Sequence, residues 1–296
     1  MVVAVKYAHV VGLVNSILDQ YGELKLRLRT IFYRLGAMQA IPLTENAYKY
    51  LSRVLVRARE RGDVDEERID DPSRQVLGDG DWGFDTPEQF LDAAIAQFKL
   101  SYQNYMRPLW TSQPNRVFVA VEKDAVSAVL LDAAERYRVK VYPIRGYSSY
   151  TYVRKLAKEC TCDKHNVILY FGDYDGSGRD IERDFAERLR RYGAERFEVR
   201  RVAITEEQIR QLNLPPMPAD QSTLEKLRRD PRTKRYGLKY AVELDAIEPL
   251  QLQALVAKAI ESCMDPVAWD IAVRQLEEER ARLEEVFKRI EVKVNA

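Results

Sequence analysis

Three carboxylates fall where an α/β sheet exposes its chemistry. Glu122 directly follows the apolar run Val117-Phe118-Val119-Ala120-Val121, and Asp173 and Asp175 follow the run Val167-Ile168-Leu169-Tyr170-Phe171. If both runs are parallel strands, all three acids emerge at the carboxyl edge of the sheet, the side on which such folds bind ligands. The i, i+2 spacing of Asp173 and Asp175 sends both the same way from an extended chain. Gly172, Gly176 and Gly178 let the backbone turn sharply and approach a ligand closely. Clustered carboxylates repel one another unless a cation lies among them, and an all-oxygen set suits Mg²⁺, with Mn²⁺ also accepted. Such an ion commonly bridges to phosphate, so the expected chemistry is phosphoryl transfer, with Glu122, Asp173 and Asp175 as candidate metal ligands.

Strands are expected at 117–121, 139–144, 167–171 and 197–203, with helical spacing over 125–137, 149–159 and 180–192 between them. That alternation predicts a largely parallel sheet covered on both faces, an α/β class. The first ~110 residues read instead as helical, from apolar spacing near 3.6. Leu26, Ile31 and Leu35 mark one amphipathic helix, Ile41-Pro42-Leu43 breaks the chain, and Thr44 offers an N-cap to a second helix that ends at Gly62. In that second helix Ala47, Leu51, Val54, Leu55 and Ala58 form an inward stripe, while Lys49, Arg53 and Arg57 line another face at i, i+4, i+8. Two short helices with a basic second member predict helix-turn-helix or winged-helix geometry, with Lys49, Arg53 and Arg57 as candidate DNA contacts.

The turn-rich acidic stretch 63–83 is expected to be a loop or wing. A composition shift at 107–116, with Pro108 and Pro114, suggests two domains, 1–110 and 111–296. After a proline-rich connection at 212–220, residues 246–262 read as helical. At the end, Trp269, Val273, Leu276, Leu283, Phe287 and Ile290 recur at gaps of three and four, with Arg280 filling the missing step. This C-terminal helix is expected to pack on its own domain rather than form a dimer seam.

The chain has 296 residues, 46% of them hydrophobic, with 47 Lys+Arg against 46 Asp+Glu. Those proportions exclude disordered and fibrous classes. The net charge of +1 conceals a local excess: Leu24–Arg61 holds nine basic residues against Glu45 and Glu60. Lys6, His9, Asn15 and Asp19 interrupt the mildly apolar start well short of the ~20 residues a membrane span needs. The cysteines are three, Cys160, Cys162 and Cys263, and with no secretory leader ahead of them a reducing, cytoplasmic setting is expected. Their spacing with His165 matches no common zinc pattern, and only His9 and His165 are available for a Ser-His-Asp triad. Glu243 and Asp245 form another i, i+2 acidic pair, read here as a strand end or surface turn.

The motifs V-A-V-E-K at 119–123, R-G-Y at 145–147 and F-G-D-Y-D-G-S-G at 171–178 together resemble a Toprim domain, the metal-binding fold shared by topoisomerases, primases and nucleases. In addition, R-T-I-F-Y at 29–33 is similar to the R-[DE]-x-Y-Y motif of the topoisomerase VI A-subunit and meiotic double-strand-break transesterase family. The order of the motifs matches that family over roughly residues 24–260, and the chain is similar to its short stand-alone relatives of the topo mini-A type. The resemblance implies an N-terminal winged-helix domain followed by a Toprim domain. It implies Tyr33 as the nucleophile, Arg29 as the motif arginine, and Glu122, Asp173 and Asp175 as Mg²⁺ ligands. It also implies a homodimer in which the tyrosine of one subunit works with the metal of the other. Thr30, Phe32 and Gly176 depart from the usual acid, tyrosine and proline without removing a reacting atom.

A tyrosine hydroxyl with an ordinary pKa near ~10 needs a neighbouring cation or base to attack at neutral pH. Arg29, one helical turn away, is the candidate. Lys123, Arg145 and Arg179 flank the acidic edge and are further candidate phosphate contacts. The expected activity is Mg²⁺-dependent cleavage of double-stranded DNA by tyrosine transesterification, in the cytoplasm and at the nucleoid, with any ATPase supplied by a separate subunit. A Toprim endonuclease using water, and a non-catalytic DNA-binding subunit, are the alternatives.

Overall fold

The computed structural model describes residues 7–22, 24–69, 83–144, 150–160, 163–217 and 221–294. Arg145 and the 145–147 motif, Cys162, and positions 70–82 of the expected loop or wing lie outside the described residues.

Three helices open the chain: α1 (Tyr7–Gln20), α2 (Leu28–Ala37) and α3 (Glu45–Glu60). Each turns an apolar stripe inward, and Val14, Ile17, Ile31, Phe32, Leu35, Leu51 and Leu55 share one core. The break at 41–43 has its physical reason in Pro42, and the Thr44 hydroxyl accepts from the Ala47 N–H at 3.3 Å to start α3. The expected inward stripe of α3 is buried at Leu51, Val54, Leu55 and Ala58. Helix α4 (Pro87–Leu100) follows, capped by Thr86.

The remainder alternates strand and helix: β1 (Asn115–Val121), α5 (Ser127–Glu135), β2 (Val141–Pro143), α6 (Tyr150–Glu159), β3 (His165–Phe171), α7 (Gly176–Arg191) and β4 (Phe197–Ala203). The four strands form one sheet in the order β2-β1-β3-β4. Pairing is parallel between β1 and β2, with Val119 opposite Val141, and between β3 and β4, with Ile168 opposite Val199. The chain is therefore α/β. The central strands are almost wholly buried because helices cover both faces. Phe118, Ala120, Ile168 and Tyr170 face Val153 and Leu156 of α6 and Ile181 and Phe185 of α7. On the opposite side α5 packs on β2 and on α11 (Pro249–Glu261), which also meets β4. Between β4 and α11 the chain makes an excursion through α8 (Glu206–Gln211), α9 (Gln221–Arg229) and α10 (Pro231–Arg235). The last helix is α12 (Pro266–Val294), and among the described residues no helix is long and apolar enough to cross a membrane.

Two compact units emerge, one of Met1–Pro72 with Arg116–Cys263, the other of Ser73–Asn115 with Met264–Ala296. This differs from the linear division at residue 110. Helix α2 packs against the 3-10 turn Leu244–Ala246 just before α11, which ties the N-terminal helices to the sheet. In the second unit α12 closes on the segment that includes α4. Leu109, Ala272 and Leu276 share a small core, Trp110 meets Trp269, and Phe287 meets Phe98 and Tyr102. The alternating gaps of three and four in α12 thus serve packing within that unit.

Replacing Thr44 by Ala removes the cap of α3 without disturbing its buried stripe. We expect a loss of about 1 kcal/mol in urea unfolding, with the denaturant slope unchanged.

Candidate functional site: an acidic sheet edge joined to a tyrosine

The carboxyl edge of the sheet is built by adjacent strand ends. The Glu122 N–H donates to Phe171 O at 2.8 Å, so the ladder between β1 and β3 carries Glu122 to the level where β3 gives way to Gly172 and Asp173. There Glu122 Oε2 accepts from the Asp173 N–H at 3.1 Å. Asp175 is the N-cap of α7, its Oδ1 accepting from the Gly178 N–H at 2.6 Å. A Cβ on Gly178 would lie 2.5 Å from Asp173 O and 2.9 Å from Glu122 Oε2, and one on Gly176 would lie 2.5 Å from the Thr233 N. The close approach these glycines permit is thus to the chain itself, where a ligand was expected.

Asp173 is buried and doubly engaged. Its Oδ1 accepts from the Leu244 N–H at 2.8 Å, and its Oδ2 pairs with Lys123 Nζ at 2.6 Å. The same ammonium lies 3.3 Å from Glu243 Oε1 and 3.7 Å from Asp245 Oδ2. Lys123, expected to touch phosphate, is therefore committed to three acids. Glu243 and Asp245 are 8% and 3% exposed, which replaces the surface-turn reading of that pair. They reach the edge through an antiparallel bridge: Tyr174 and Val242 exchange N–H···O bonds of 2.8 and 3.0 Å, and the 3-10 turn from Leu244 follows. Sequence reasoning undervalued this pair because no apolar strand precedes it.

Glu243 then joins the edge to α2. The Tyr33 hydroxyl donates to Glu243 Oε2 at 2.6 Å, and Arg29 donates to the same oxygen from Nε at 2.7 Å and from Nη2. One helical turn places both groups on the face of α2 that meets Glu243. The Arg29 guanidinium also lies over the Tyr48 ring at 4.9 Å. Tyr33 is 3% exposed, and Phe32 packs edge-on between it and Tyr48. The tyrosine and the acids, expected in separate domains, belong to one compact unit and are linked through Glu243 and Lys123.

Burial and repulsion from Asp173 and Asp175 push the Glu122 carboxyl up to about 7. Burial likewise lifts Asp173 to about 6 against the pull of Lys123, and Asp245 is raised by burial. Burial also acts on Glu243, but Lys123, the Tyr33 hydroxyl and Arg29 outweigh it and hold that carboxyl below its ordinary value. Tyr33 moves the other way. Burial and the Glu243 carboxylate raise it well above an ordinary phenol, with Arg29 opposing more weakly, so the hydroxyl is protonated at neutral pH. Lys123 is raised by Asp173, Asp245 and Glu243 despite its burial, and stays charged.

Each of Glu122, Asp173 and Asp175 has an oxygen committed to a backbone N–H, and the cation in the acidic pocket is Lys123. Among the described residues no group of three or more His, Cys, Asp or Glu side chains is placed to hold a metal ion. Among the described residues Asp245 Oδ1 is buried without a hydrogen-bond partner. Of the other candidate residues, Lys49, Arg53 and Arg57 lie on the exposed face of α3, with Lys49 paired to Glu45 at 2.6 Å and Arg57 over the Tyr7 ring. Arg179, in the first turn of α7, faces Glu182 at 3.7 Å and the Tyr236 ring. No protein-family model matches this sequence, and no curated protein matches it.

A carboxyl raised by folding favours the protonated native state. Its stabilising effect is complete below the unfolded-state pKa and is lost as pH rises through about 7 for Glu122. In a chelator, wild type should therefore lose about 2–3 kcal/mol between pH 5 and pH 8 relative to Glu122→Gln. Urea titrations at the two pH values check this, and parallel losses in both proteins would refute the assignment of a raised Glu122.

Proposed function

We propose that this chain cleaves double-stranded DNA by tyrosine transesterification, in the manner of the topoisomerase VI A-subunit family. The observation that supports the reading is the seating of Tyr33 on Glu243, with Glu243 sharing Lys123 with Asp173. In the proposed step Tyr33 Oη attacks a backbone phosphorus while its proton passes to the Glu243 carboxylate. An Oη–P bond forms, the bond from phosphorus to one deoxyribose oxygen breaks, and that oxygen leaves as a hydroxyl after taking a proton from water. Reversal religates the strand. Glu243 is the base by position, at hydrogen-bond distance from the attacking oxygen. Arg29 positions Glu243 and offsets the charge around it. Because Tyr33 is buried, a phosphate reaches it only after the cover over its hydroxyl opens, with the Tyr33–Glu243 hydrogen bond kept for the proton transfer.

In this reading helices α1 to α3 serve as the winged-helix element and the sheet with its acidic edge as the Toprim fold. A homodimer, a nucleoid location, a separate ATPase subunit and Mg²⁺, replaceable by Mn²⁺, accompany it on the strength of the motif resemblance. One observation favours a second reading. The engagement and burial of the Tyr33 hydroxyl suit a structural tyrosine in a hydrolytic endonuclease, where water attacks in its place.

Incubation of wild type, Tyr33→Phe and Glu243→Gln with negatively supercoiled plasmid and Mg²⁺, with a chelator control, separates these readings after detergent quench and electrophoresis with and without protease. Covalent protein on broken DNA in wild type, absent in Tyr33→Phe and reduced about 10²-fold or more in Glu243→Gln, is expected. Free-ended breaks that survive Tyr33→Phe would replace the transesterase by the endonuclease. Binding without breaks in any of the three would leave a non-catalytic DNA-binding subunit.

A further inference from the structure

The excursion that delivers Glu243 carries a second feature. Leu224–Lys239 holds seven basic residues, Lys226, Arg228, Arg229, Arg232, Lys234, Arg235 and Lys239, against Glu225 and Asp230. The local charge is +5 in a chain whose total is +1. Six of the seven are exposed, Arg232 being the exception. Asp230 is used internally: it caps α10 at the Arg232 N–H and pairs with the Arg232 guanidinium at 2.6 Å. Glu225 reaches Arg229 only at 3.8 Å. Among the described residues Lys226, Arg228, Lys234, Arg235 and Lys239 form no ion pair.

Helix dipoles account for part of this pattern, since basic residues favour the last turns of α9 and α10. One or two cations suffice for that, and the excess calls for an external anion. The element is also fastened in place. Thr233 packs on Gly176 so closely that a Cβ there would clash, Arg232 Nη1 donates to Ser177 Oγ at 3.3 Å, and the Tyr174 and Tyr240 rings meet tilted with centroids 5.9 Å apart. Leu224 and Leu227 line a pocket with Asp175, Arg228 and Lys239. The segment that carries the cations is thus held beside the N-terminus of α7, next to the acidic edge.

A polyanion fits such an exposed, unpaired excess of cations better than a protein partner does, because it needs charge and not a buried aromatic anchor. We propose that residues 224–239 grip the phosphate backbone of duplex DNA and hold it against the acidic edge. The assignment rests on the reading that the chain acts on DNA, but it predicts binding and not cleavage.

The test is binding of full-length wild type, a Lys226→Ala/Arg228→Ala/Lys234→Ala/Arg235→Ala variant and a single Lys234→Gln variant to a short fluorescent duplex in chelator, with salt varied between about 50 and 200 mM. Expected is a fall in affinity of about 10-fold or more for the quadruple variant near 100 mM salt. The salt slope should be shallower by about 3 for the quadruple variant and by about 1 for the single one. Circular dichroism checks that each variant is folded. Unchanged affinity and slope in folded variants would overturn the proposal, as would loss of binding only on Lys49→Ala/Arg53→Ala/Arg57→Ala. Failure of wild type to bind duplex DNA, or preference for RNA or an acidic protein, would overturn it too. Wild type that binds with the expected variant losses yet makes no tyrosine-linked breaks would uphold the grip and remove the transesterase.

Discussion

Four carboxylates, Glu122, Asp173, Glu243 and Asp245, are gathered at one sheet edge with two cations to balance them, and most of the surrounding structure answers to that imbalance. Two like charges about 4 Å apart cost about 4 kcal/mol at an effective dielectric of 20, so an edge of four full charges would not hold together unaided. Lys123 sits between Asp173 and Glu243, and Arg29 reaches Glu243 from α2. Glu122 and Asp245 are then pushed toward their protonated forms. The fold thus meets the four carboxyls with two shared cations and with carboxyls raised toward the protonated form, Glu243 alone being held below its ordinary value.

This balance explains why the N-terminal helices and the sheet fall in one compact unit. Without Arg29 and Tyr33 the Glu243 carboxylate would be a buried charge with Lys123 as its sole partner, and a carboxylate deprived of hydrogen-bond donors is costly. Helix α2 therefore supplies donors as well as apolar surface. The same contact keeps Tyr33 protonated, since a phenol that donates to a carboxylate in a buried setting resists losing its proton. Any activity that needs the phenolate must first change what Glu243 touches or let Glu243 take the proton.

The strands were legible because central parallel strands are buried on both faces and read as unbroken apolar runs, as Val117–Val121 and Val167–Phe171 do. Their ends located Glu122, Asp173 and Asp175 correctly at one edge. The Thr44 cap was legible for a similarly local reason. What the sequence did not disclose is long-range. Glu243 lies 210 residues from Tyr33 and arrives by a connection with no strand-like apolar run, set in place by a bridge to Tyr174 and the Leu244 N–H bond to Asp173. The glycines of 172–178 read as room for a ligand, yet their neighbours are Glu122, Asp173 and Thr233. Local pattern identifies a close approach but not the atom approached. The two compact units are long-range in the same way, because α12 pairs with residues far ahead of it.

Acids within and cations without make a particular kind of surface for a polyanion. Exposed basic residues act over about 8 Å in physiological salt, so Lys226, Arg228 and Lys234 are felt before the buried acids are. The acids would repel a phosphate at short range, but Lys123 and Arg29 already neutralise two of them and burial shifts two others toward the uncharged form. The repulsion that remains is confined to the edge itself. An approaching backbone would therefore meet attraction first and a small local barrier last, and that barrier falls further if its phosphate draws Lys123 or Arg29 away from the carboxylates. Such an exchange would take Arg29 from the oxygen it shares with Tyr33 and so make Glu243 a better acceptor of the tyrosine proton. On the proposed reading, phosphate binding and activation of the tyrosine would then be one electrostatic event, with Glu243 as the group through which it passes.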